Sequence, residues 1–166
     1  ALGRIGGEQA INVMLEAGVG AEPELRAVLG AALCYASEPR GLELLDVDRL
    51  VNPWFAYAAL SKLGTEEALL RLLEEIERDG GFDPRACRVL QFFSDKPAAD
   101  RAHRVLVQWM EHTSPVYREQ AAFGLWGWED EATTELLVAM AEDSEFKVSD
   151  CAVRGLAFRG SVEPLF

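Results

Sequence analysis

A chain of 166 residues, 49% hydrophobic and 27% charged, is long enough to bury one full core and is ordinary for a single domain. Its 16 Lys and Arg stand against 28 Asp and Glu, a formal charge of −12. That balance provides no overall cationic footprint for the phosphates of a nucleic acid or for an anionic membrane surface. No apolar run approaches the roughly 18 residues that span a bilayer, and no signal-like start is present. Cys34, Cys87 and Cys151 are odd in number, far apart and without a CxxC pair. They read as buried thiols in a reducing, cytoplasmic compartment, not as a disulfide framework or a zinc site.

Taken in order, Ala1 to Gly6 reads as the tail of a helix whose partner covers about Glu8 to Ala17. The next pair is expected over Glu22 to Ala36 and Arg40 to Leu45. The clearest pair follows, Pro53 to Leu63 and Glu66 to Arg78. Its first helix is closed by Gly64, which takes a left-handed backbone without strain, and its second is capped by Thr65. In that second helix Ala68, Leu69, Leu72, Leu73 and Ile76 share one side, while Glu67, Arg71, Glu74, Glu75 and Arg78 share the other. After a Gly80-Gly81 break come Pro84 to Phe93 with Pro97 to His112, then Pro115 to Trp128 with Glu131 to Glu142. A last helix spans Glu145 to Arg159, and Ser161 to Phe166 begins another.

The first helices of these pairs keep a common register. Leu2, Leu33, Leu60, Leu90, Leu125 and Leu156 recur at spacings of 31, 27, 30, 35 and 31 residues. Three positions on stand Ile5, Ala36, Leu63, Phe93, Trp128 and Arg159; four before stand Leu29 and then Ala56, Ala86, Ala121 and Ala152. Small residues in that second column let helices approach closely. All seven prolines (23, 39, 53, 84, 97, 115 and 164) fall at or near a helix start, where the missing N–H is harmless. No strand pattern competes: Ala98, Ala102, Val105, Leu106, Trp109 and Met110 form a helical stripe through the short β-branched run from Val105 to Val107. A hairpin of this kind cannot bury its apolar face alone. The expected architecture is therefore all-α, a right-handed α-solenoid of about five stacked helical hairpins forming one domain over residues 1–166. The chain opens at Ala1 without a Met and is expected to be a piece of something longer, with unpaired apolar faces at its ends suited to end-to-end or self association.

The run Val-Tyr-Arg-Glu-Gln-Ala-Ala-Phe-Gly-Leu (116–125) and the run from Val148 to Leu156 resemble the first helix of HEAT repeats. The likeness is to the short bacterial type named after phycobilisome lyases. The Arg usual after the first apolar residue stands at Arg26 and Arg118 and is replaced by Pro53, Asp83 and Ser149 elsewhere. The resemblance implies a scaffold whose second helices line a concave face and bind another protein there. A phycobilin-lyase-like, chromophore-handling role is the alternative that the family name suggests. A DNA repair glycosylase on a HEAT-like stack is a further one, against which the acidic balance counts.

Candidates for chemistry are few. His103 and His112 lie nine residues apart on one helix, about 900° of turn, and cannot share a metal. Asp46 with Asp48, and Glu129 to Glu131, read as helix-end acids. Gly3 to Gly7 and Gly18 to Gly20 follow no strand and read as repeat turns, not phosphate loops. No catalytic residue, cofactor or metal site is assigned, and no enzyme activity is expected. The candidate partner-binding residues lie on the second helices: Glu67, Arg71 and Glu74, then Arg101, Arg104 and Gln108, then Glu131 and Glu135, alternating in sign. Trp126 joins them because it sits about 200° round the helix from Trp128, which occupies a core column.

Overall fold

A computed structural model describes residues 7–78 and 83–160. Among the described residues all regular structure is helical. The helices are α1 (Gly7–Val19), α2 (Pro23–Tyr35), α3 (Trp54–Leu63), α4 (Glu66–Glu77), α5 (Arg85–Val89), α6 (Ala99–Met110), α7 (Pro115–Gly124), α8 (Glu131–Met140) and α9 (Phe146–Phe158). Tight 3-10 turns stand at Pro39–Glu43, Val47–Arg49, Leu90–Phe93 and Leu125–Gly127. None of the described helices is long and apolar enough to cross a membrane. The segments expected to be helical at Ala1 to Gly6 and Ser161 to Phe166, and the Gly80-Gly81 break, lie outside the described residues.

The chain divides into two compact units, Ala1–Ala68 and Leu69–Phe166, with the division falling in α4. In the first unit α2 is central, packed against α1, α3 and the Pro39–Glu43 turn. Leu33 and Leu60 of the leucine column are fully buried there, with Ala27, Cys34, Ala56 and Ala59. Gly64 closes α3 with φ 63° and its N–H on the Leu60 carbonyl, 3.0 Å away. Thr65 caps α4 by accepting the Ala68 N–H at 3.2 Å. The expected helix from Arg40 to Leu45 is instead a five-residue 3-10 turn followed by a second one. The physical reason is backbone proximity. A Cβ on Gly30 would lie 2.5 Å from the Leu45 nitrogen, and one on Gly41 would lie 2.7 Å from the Gly30 carbonyl oxygen. A segment pressed this closely onto α2 has no room for the side-chain envelope of a second α-helix.

In the second unit α7 lies between α5 and α9, while α6 packs on α7 and α8 on α9. Leu90, Leu125 and Leu156 are fully buried, as are Ala86, Ala121 and Ala152 four positions before each. Phe93 and Trp128, three positions after, are buried as well. The sequence columns are thus real packing positions in this unit. Two first helices are shorter than expected: α5 stops at Val89 and α7 at Gly124, and each tightens into a 3-10 turn. Those two turns pack on one another. The contact is so close that a Cβ at Gly127 would collide with the Gln91 carbonyl.

Candidate interaction surface

The second helices of this unit are joined by polar contacts. Arg101 on α6 donates from Nε to Glu77 of α4 at 3.0 Å, and its Nη2 reaches the other carboxylate oxygen. From α6 to α8 the join is a hydrogen-bond chain. Asp130 caps α8, accepting the Thr133 N–H at 2.8 Å and the Thr133 hydroxyl at 2.7 Å. With its only proton given to Asp130, the Thr133 oxygen accepts from His103 Nε2 at 2.9 Å. The His103 ring also tilts against Trp128, 5.7 Å between centroids. Burial pushes the Asp130 carboxyl up, but the bonds from Thr133 outweigh it and leave the group below the usual carboxylate range. An Asp–Thr–His chain has the ingredients of a nucleophile with its base. Here the Thr133 side chain is 0% exposed, so its oxygen meets no substrate and the chain serves as a tie between helices.

The proposed partner-binding residues sort by their surroundings. Arg104, Gln108, Glu131 and Glu135 are exposed and carry no hydrogen bond or ion pair to any described residue. Arg101 is engaged with Glu77. Arg71 and Glu74 lie on α4 and pair loosely at 3.4 Å. Glu67, on the first-unit part of α4, is exposed. One expectation about α4 is overturned: Glu75 is not on the solvent face but 5% exposed. It is clamped by Arg71 at 3.3 Å and by Arg78, one turn away on either side. Residues three and four apart on a helix are neighbours, and two cations there make a buried carboxylate tolerable.

Trp126 is half-buried. The rotation that takes it off the Trp128 side turns it onto α9, where a Cβ on Gly155 would lie 2.6 Å from the indole Nε1. Phe123 and Phe158 flank its ring at 4.7 and 6.4 Å, and the Arg88 guanidinium lies 4.0 Å over Phe123. The indole N–H is buried with no acceptor among the described residues. Trp126 is thus a wedge between α7 and α9 with an open edge beside the exposed Phe158.

Sequence reasoning missed two ties. Arg159, in an otherwise apolar column, reaches back to the Leu125 carbonyl and to Thr134 Oγ1 at 3.2 Å; burial lowers its guanidinium somewhat from the usual range. Arg118 of α7 makes a two-pronged pair with Asp143 before α9, at 2.7 and 2.9 Å, and donates to the carbonyls of His112 and Thr113.

The three thiols are free and buried. Burial pushes Cys34 up to about 11 and Cys151 up to about 12, and it raises Cys87 as well. All three are neutral at pH 7 and none is poised as a nucleophile. Among the described residues no group of three or more His, Cys, Asp or Glu could hold a metal ion. Compared with protein families, with curated proteins and with solved structures, the chain matches none.

Proposed function

We propose that the chain is a HEAT-like α-solenoid segment acting as a non-enzymatic scaffold that binds another protein through its second helices. What supports the reading is the order of helices in the second unit. First helices α5, α7 and α9 lie in one row, and second helices α4, α6 and α8 are linked in turn by Glu77–Arg101 and His103–Thr133. That is the neighbour-to-neighbour pattern of a stacked repeat. The second row then presents Arg104, Gln108, Glu131 and Glu135 without partners among the described residues. A partner carrying both signs of charge fits this surface, with attraction that weakens as salt rises. The neutral thiols suit a reducing, cytoplasmic setting.

The test is recovery of a partner from lysate by the wild-type chain and by an Arg104→Glu, Glu131→Lys, Glu135→Lys triple variant. These exposed changes leave helicity unchanged, and the reversal at Glu131 in the first turn of α8 costs no more than about 1 kcal/mol of stability. The scaffold reading expects the partner to be lost from the triple variant. Recovery undiminished by the triple change places binding elsewhere and contradicts the reading.

A further inference from the structure

The turns that lead into the first helices share one device. Asn52 accepts the Trp54 N–H at 3.1 Å, Asp83 the Arg85 N–H at 3.0 Å and Asp143 the Glu145 N–H at 2.9 Å. Each is a side-chain acceptor bonding the backbone two residues on, which starts the turn and fixes where the helix begins. Before α7 the same position is held by His112, whose Nδ1 accepts the Ser114 N–H at 3.0 Å. An imidazole nitrogen accepts only while it carries no proton, and imidazole is the side chain that changes charge within the physiological range.

We propose that His112 is a pH-sensitive latch on the α6–α7 turn, closed by the Nδ1···H–N bond to Ser114 and released when Nδ1 gains a proton. In the released state two N–H donors face each other. Arg118 donates from Nη1 to the His112 carbonyl at 2.9 Å. The other ionisable neighbours are Glu111 on the same segment and Tyr117 on α7, with ring centroids 4.2 Å apart. Asp143 and Glu145, before α9, act through Arg118. No hydrogen bond joins the His112 ring to Arg85 or Arg88 of α5, or to Lys147, Asp150 or Arg154 of α9. Trp109 and Tyr117 hold the ring in place at 5.1 and 4.2 Å, so the proton changes the bond and not the ring's position. The sign follows from the acceptor. The latch contributes order at neutral pH and loses it as pH falls. Its release loosens the start of α7.

The experiment is nitrogen-15 NMR of the imidazole with amide hydrogen exchange of Ser114, on the full chain at pH 7.5 and 5.5. Wild type is expected to show an unprotonated Nδ1 at pH 7.5. On acidification, Ser114 protection, corrected for the intrinsic rate, should fall about tenfold, the worth of one hydrogen bond. His112→Asn keeps an acceptor that does not titrate, and its Ser114 protection should be equal at both values. A proton on Nδ1 at pH 7.5 overturns the proposal. So does an imidazole still neutral at pH 5.5, undiminished protection on a protonated ring, or an equal fall in His112→Asn. The wild-type chain alone decides the first three of these.

Discussion

Replacing Leu125 with Ala lowers the unfolding free energy of the second unit by about 2–5 kcal/mol, the range for removing a fully enclosed leucine. Leu125 is 0% exposed and begins the tight turn that packs against both Leu90–Phe93 and α9. Its carbonyl also anchors Arg159. Neighbours on two separate elements cannot collapse together into the space left, which favours the upper part of the range. The loss is read in denaturant unfolding by tryptophan fluorescence, since Trp109, Trp126 and Trp128 all belong to this unit. Glu135→Ala, on the exposed side of α8, is the control and should change the unfolding free energy by no more than about 0.5 kcal/mol. A loss below about 1 kcal/mol for Leu125→Ala would mean that the leucine column is not where this unit is held together.

Arg118→Met should destabilise the same unit by about 2 kcal/mol, and the effect should shrink in acid. The Arg118 and Asp143 side chains are 16% and 13% exposed. Their pair lies between a surface ion pair, worth up to about 1 kcal/mol, and a buried one, whose breakage costs about 3–5 kcal/mol. Methionine keeps the length of the stem but strands the carboxylate and frees the carbonyls of His112 and Thr113. The Arg118 guanidinium beside Asp143 holds its carboxyl below the ordinary range, against some burial. A carboxyl whose value is lowered on folding contributes stability above its unfolded value, near 3.9, and loses it as pH falls through the folded value. The wild-type advantage over Arg118→Met is therefore constant from about pH 5 to 8 and shrinks toward pH 3. An advantage that persists unchanged in acid would show that the arginine acts by packing its stem and not by its charge.

Much of the helical order was legible because it depends on local chemistry. Gly64 and Thr65 act on their own backbone, and prolines and alanines at fixed offsets need only the helical period. Trp128 fell in a column and is buried; Glu75 fell on the charged side and is buried too. The difference is that a periodicity argument assigns faces by residue type. It cannot weigh two arginines one turn away against the penalty of burying a carboxylate. The Arg40 to Leu45 segment failed for a related reason, since the contact of Gly30 with Gly41 joins two separate segments, and periodicity within one segment does not register it. On the candidate surface, the exposed Arg104, Gln108, Glu131 and Glu135 follow from helix phase alone. The His103–Thr133–Asp130 chain does not, because it spans 30 residues between His103 and Thr133. Only its local half, Asp130 capping Thr133, had a sequence signature.

The account rests on helices that meet their neighbours in sequence order, and methyl-labelled nuclear Overhauser spectroscopy of the second unit reads that order directly. Cross-peaks from Leu125 to methyls of both the α5–Leu90 segment and α9, without a comparable set between Leu90 and Leu156, are the predicted result. A set joining Leu90 directly to Leu156, as in a closed bundle, would contradict it.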